Sequence, residues 1–129
     1  MKALALIGCV ALFISTVAAA QDKHPADGSP NGGAIVTAEE IHKGLTNYAI
    51  DPTKLSAVEM MGSLYAGGYT LGVADSENND LFCIPAGVSK QEIFAVVEKF
   101  LNEHPDGWHQ PAPVEISVAL RLSYPCKGA

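Results

Sequence analysis

Charge is scarce in this chain, and positive charge is the scarcer sign. Only 17% of its 129 residues are charged, and eight Lys and Arg stand against fourteen Asp and Glu, for a formal net charge of −6. Binding to a phosphate backbone needs a basic patch, so nucleic acid is not an expected partner. The signatures of common chemistries are missing as well. The sequence has no G-x-S-x-G elbow, no Walker loop, no dinucleotide fingerprint, no H-E-x-x-H and no C-x-x-C. Glycine and proline, at 12 and 8 residues, are in ordinary proportion. That excludes collagen-like and low-complexity chains. The length suits one domain, and no internal repeat is visible.

What is present begins at the N-terminus. Met1-Lys2 carries one positive charge, Ala3 to Val17 is almost wholly apolar, and Ala18-Ala19-Ala20 precedes polar Gln21-Asp22-Lys23. A basic start, a short apolar run and an A-x-A-like site predict a signal peptide over residues 1–20, cleaved after Ala20. The run is shorter than the roughly 20 residues a membrane span needs. An uncleaved anchor is the alternative. Lipidation at Cys9 is another, because Leu6-Ile7-Gly8-Cys9 resembles a lipobox. Cleavage would remove Lys2 and Cys9. The mature chain keeps all fourteen acids and two of three cysteines, Cys83 and Cys126. An even pair in an exported domain reads as one disulfide, against the rival of two free thiols. A loop as long as the one it closes contributes about 4 kcal/mol in the chain-entropy model.

Residues 21–36 are rich in Pro, Gly, Asp and Ser and read as a flexible leader. The remainder, 37–129, reads as one helical domain. Thr37-x-x-Glu40, Ser56-x-x-Glu59 and Ser89-x-x-Glu92 each match the capping box ahead of an apolar pattern. The first helix is expected from Thr37 to Tyr48, and Asp51-Pro52 breaks it. The second runs from Ser56 to about Ala74, with Val58, Met61, Leu64, Tyr65 and Leu71 as its apolar stripe. Gly67 and Gly68 bend or end it, or else it continues. Gly68-x-x-x-Gly72 leaves two bare positions on one face, where another helix could approach. The third helix carries Ile93, Val96, Val97, Phe100 and Leu101 at helical spacing and stops at His104-Pro105-Asp106-Gly107. The last segment is ambiguous. Val114, Ile116, Val118, Leu120, Leu122 and Tyr124 alternate as a strand does. Pro113 near its start and Pro125 past its end suit a helix, and a lone strand would have no partner.

Few residues suggest chemistry. His24 lies in the leader and His42 on the polar side of the first helix. His104 and His109 flank a turn without a cysteine nearby. Surface or capping roles are expected for them, and neither metal nor cofactor is expected. Asp75, Glu77 and Asp80, with Asn78 and Asn79, are expected to form an acidic loop. It lacks the spacing and the final Glu of an EF-hand, so it reads as a solvated turn. A small exported helical domain with one bridge and no visible catalytic apparatus points to binding rather than catalysis.

From Ala66 onward the order of motifs is more specific. Gly68-Tyr69-Thr70-Leu71-Gly72-Val73-Ala74-Asp75 leads into Leu81-Phe82-Cys83-Ile84-Pro85-x-Gly87, then an amphipathic helix, Leu101-x-x-His104-Pro105, Pro111-Ala112 and Tyr124-Pro125-Cys126. Over about 60 residues this resembles the Rap/Tai immunity proteins, which protect bacteria against type VI secreted cell-wall amidases. The resemblance implies an all-α periplasmic fold of about four helices, usually dimeric, with Cys83 and Cys126 bridged. It implies a cognate amidase whose active-site groove the protein plugs, and no enzymatic activity. It favours the helix for the last segment. Gly68, Gly72, Phe82, Pro85, Gly87 and Pro125 then mark the fold. Two segments could reach a groove, the acidic 75–80 loop and the loop from His104 to Pro111. The second holds the chain's one Trp, a residue type enriched in binding hot spots. Trp108 with His109 is the expected contact, and Asp75, Glu77 and Asp80 are expected to steer association. A Trp108 that merely caps the core is the structural alternative. A periplasmic stress chaperone, or another exported binding protein, is the alternative function.

Overall fold

A computed structural model describes residues 34–128. The expected signal peptide and most of the expected leader lie outside these residues. Four helices follow one another: α1 (Ala38–Tyr48), α2 (Ala57–Glu77), α3 (Lys90–Glu103) and α4 (Ala112–Ser123). Short 3₁₀ turns at Pro52–Lys54 and Pro105–Gly107 join α1 to α2 and α3 to α4. The described fold is all-α.

The three capping boxes form as expected. Each opening amide finds a carboxylate three residues on: Thr37 N–H donates to Glu40 at 2.9 Å, Ser56 N–H to Glu59 at 2.8 Å and Ser89 N–H to Glu92 at 2.7 Å. The first turn of a helix leaves such donors without intrahelical partners, so these pairs define where α1, α2 and α3 begin. Helix α4 has no side-chain cap. Its Ala112 N–H donates instead to the Val36 carbonyl at 2.9 Å. Val36, the last residue of the expected leader, is half-buried against the core.

Ile41 and Leu45 of α1, Phe82 of the α2–α3 connection, Ile93, Phe94, Val97 and Leu101 of α3, and Ile116, Ala119 and Leu120 of α4 make one buried cluster. In α4 the buried residues follow helical spacing, while Val114, Val118 and Leu122 turn outward. The strand-like alternation in the sequence is therefore a coincidence of an apolar helix. Three helices offer that segment a groove, and among the described residues no strand lies beside it to complete a ladder.

Helix α2 departs furthest from expectation. It runs unbroken through Gly67 and Gly68 and ends three residues later than expected, at Glu77. Its buried side is made of small residues, Ser63, Ala66, Gly67, Thr70 and Ala74. Most of its expected apolar stripe lies on the opposite side. Val58 is 80% exposed, Met61 71%, Leu64 64% and Tyr65 52%; Leu71 alone is half-buried against the core. The small inner face lets α1 come close. A Cβ on Gly44 would meet the Gly62 carbonyl oxygen at 2.6 Å and would also strike the Ala66 side chain.

The Cys83–Cys126 disulfide spans 43 residues and ties the strand-like connection before α3 to the chain beyond α4. Cys83 N–H donates to the Tyr124 carbonyl at 2.8 Å beside it. Among the fold-marking positions, Phe82 is fully buried and Gly87 takes a positive φ of 94° in the turn before α3. Pro85 and Pro125 are exposed in the connections outside the helices. Gly68 and Gly72 are exposed, with no atom within 4 Å of an added Cβ, so they pack against nothing within the protomer. Among the described residues no helix is long and apolar enough to cross a membrane.

Candidate functional site

The loop from His104 to Pro111 closes over the start of α1. Ala38 N–H donates to the Gln110 carbonyl and Glu39 N–H to the Trp108 carbonyl, both at 3.0 Å. These are two of the donors that the first turn of α1 leaves free. With the bond from Ala112 to Val36, the loop is fastened to the N-terminal edge of α1 along much of its length. Trp108 fastens it from within. Its indole N–H donates to the Leu101 carbonyl at the end of α3 at 2.8 Å. Its ring stacks on His42 of α1, with centroids 4.8 Å apart.

Trp108 is thus half-buried and bonded on its polar edge. Within the protomer Trp108 anchors the loop. His109, next to it, is exposed. His42 lies beside Lys43 and Thr46 on α1. It is half-buried under Trp108, with a buried Nε2 that makes no hydrogen bond. His104 caps α3, its Nδ1 lying 2.8 Å from the Phe100 carbonyl and its ring stacked on Phe100. Among the described residues no three His, Cys, Asp or Glu side chains converge as metal ligands do.

The acids are arranged differently from the loop expected of them. Asp75 and Glu77 belong to the last turns of α2, and only Asp80 sits in the turn that follows. The helix persists because the Asn78 cap closes it: Asn78 N–H bonds back to Ala74, while its side-chain oxygen accepts from Ile84 N–H at 2.9 Å. Asp75 and Asp80 are exposed. Glu77 is half-buried and accepts a hydrogen bond from the Ser117 hydroxyl of α4. That bond links the acidic end of α2 to the helix that continues from the Trp108 loop. Sequence reasoning had no signal for it, since the two residues lie in separate helices.

Glu115 was also missed. Its carboxylate packs over Gly107, where an added Cβ would come within 3.0 Å of it. Burial, then the nearby Asp106 carboxylate, push the Glu115 carboxyl above its ordinary value, and His104 offsets this in part. At the other edge, Lys43 pairs with Glu39 at 2.6 Å and holds that carboxyl below its ordinary value.

The domain is a four-helix unit braced by one disulfide, with a loop fastened to α1 and acids at the end of α2. The family follows from the sequence match. Residues 37–126 match the family model of the Rap1a immunity proteins, and the chain belongs to that family. No curated protein matches the chain.

Proposed function

We propose that this protein is a periplasmic inhibitor of a cognate type VI secreted peptidoglycan amidase and has no enzymatic activity of its own. It reaches the periplasm through a signal peptide cleaved after Ala20, occludes the amidase's active-site groove, and works as a homodimer. The observation that carries the reading is membership of the Rap1a immunity family across the whole helical domain. The loop from His104 to Pro111 is the contact favoured by its construction. A groove-filling element must keep its shape, and one already held by backbone bonds to α1 loses little further freedom on binding. Trp108 sets the loop's height and His109 reaches the groove's rim. Asp75 and Asp80 steer association with a basic partner, and Glu77 holds the α2 end against α4.

The experiment is binding kinetics of the mature protein against the amidases encoded in the same genome. His109→Ala is expected to speed dissociation. Asp75→Asn with Asp80→Asn is expected to slow association and flatten its salt dependence. Full-affinity binding by both folded variants would remove this loop and these acids from the interface. Failure to bind any such amidase, with acid-induced capture of unfolded clients instead, would mark the protein as a chaperone.

A further inference from the structure

A shallow hollow of about 430 Å³ opens between α1 and the loop that closes over it. His42, Lys43, Thr46 and Asn47 line it from α1, and Trp108 lines it from the loop. The four helical residues share one face because positions four apart lie one above the other along a helix. The volume falls within the range of ligand clefts, about 300–1,000 Å³. Its two walls differ in chemistry. One is the stacked pair of Trp108 and His42, with ring centroids 4.8 Å apart. The indole N–H is engaged by the Leu101 carbonyl and His42 Nε2 is buried without a partner, so this wall offers mainly carbon surface. The other wall is polar and carries no net charge. Thr46 Oγ1 donates to the His42 carbonyl at 2.9 Å, which leaves its lone pairs to accept. Asn47 brings an amide that donates and accepts at once. Lys43 brings a donor whose charge is balanced by Glu39 at 2.6 Å.

We propose that this hollow is a binding site for a neutral saccharide. A pyranose ring has the same two-sided character. Its C–H groups make an apolar face, and its hydroxyls, which donate and accept, project from the rim. The face of an indole is electron-rich and attracts weakly positive C–H groups. The sugar rests its apolar face on the Trp108 wall, and its hydroxyls meet Thr46, Asn47 and Lys43. A phosphate or carboxylate would have to compete with Glu39 for Lys43. A purely apolar ligand would desolvate three polar side chains without replacing their hydrogen bonds. The aromatic wall is fixed before any ligand arrives. Trp108 is held through its N–H and its ring, and Ala38 and Glu39 bond its loop to α1. Such a wall loses little further freedom on binding. An open site covers only part of a ligand, so binding is weak, with a Kd of about 1 mM or higher. Saccharide binding here does not depend on the amidase partner.

Trp108 is the chain's one Trp, so its fluorescence reports on this wall alone. Titration of the purified protein with cellobiose and with N,N′-diacetylchitobiose should shift the emission to a saturating limit at tens of millimolar. The first sugar carries hydroxyls only and the second adds acetamido groups, so the pair separates plain saccharides from N-acetylated ones. Asn47→Ala should weaken binding by about tenfold, the loss of a well-made hydrogen bond, with circular dichroism unchanged. Amide chemical shifts of the wild type supply a second measurement and should move at residues 42–47 and 108. No response to either sugar in fluorescence or chemical shift would overturn the site. Binding that Asn47→Ala leaves intact, or that moves shifts only elsewhere in the fold, would overturn this placement. A response to adenosine and to neither sugar would give the hollow to a nucleobase instead.

Discussion

Gly44 of α1 and Ala66 of α2 meet where the two helices cross, and the fit leaves no room for a methyl group at position 44. An added Cβ would strike the Ala66 side chain and the Gly62 carbonyl oxygen, the latter at 2.6 Å. In an open helix Gly→Ala stabilises by about 0.5–1 kcal/mol. Here the backbone of α2 would have to move. Gly44→Ala is therefore expected to destabilise by about 1–3 kcal/mol, the usual cost of overpacking. Thermal or urea unfolding would show it as a lower midpoint.

The bridge makes a second prediction. It closes a loop of 43 residues and holds the tail of the chain beside Cys83. Replacing both cysteines by serine should cost about 2–5 kcal/mol. Urea unfolding with and without reductant should then give the same difference in the wild type, and thiol titration of the unreduced native protein should find no reactive group.

Trp108 makes a third. Trp108→Phe keeps a ring against His42 and removes the hydrogen bond to the Leu101 carbonyl. The expected loss is about 0.5–1.5 kcal/mol. Because that bond anchors the loop, amide exchange at Ala38 and Glu39, whose N–H groups donate to the loop, should quicken in this variant. Unchanged protection there would show that Trp108 does not hold the loop to α1.

Glu115 makes a fourth, concerning pH. Its folded carboxyl is shifted upward by burial and by Asp106, so the ionised form is disfavoured in the fold. A group shifted this way contributes its stability when protonated and loses it as pH rises through the ordinary value to the folded one. Glu115→Gln should then be more stable than wild type at neutral pH and indistinguishable from it at acid pH. The capping carboxylates Glu59 and Glu92 are shifted the other way, chiefly by hydrogen bonds from Ser56 and Ser89. Their contribution is present above the ordinary carboxylate value and fades on acidification. Glu92→Gln should therefore cost stability at neutral pH, with the difference closing as pH falls. Thermal melts across a pH series would separate the two behaviours.

Local rules in the sequence determined where three of the helices begin. Capping boxes at Thr37, Ser56 and Ser89 act over three residues, so no distant part of the chain is needed to read them. The pairing of Cys83 with Cys126 was legible because only two cysteines remain once Cys9 is set aside. The family was legible from the order of its glycine, cysteine and proline motifs. Tertiary structure decided the rest, because each remaining question turned on what lay beside a residue in space. Periodicity marks an apolar stripe on α2 but carries no sign for inward or outward. Gly44 and the small inner row brought α1 against one side and left Val58, Met61, Leu64 and Tyr65 on the other. Alternation in α4 could not tell strand from helix until three helices offered it a groove. Whether Trp108 anchors its loop depends on the Leu101 carbonyl lying within reach of its indole, and a separation of seven residues across a turn does not encode that distance.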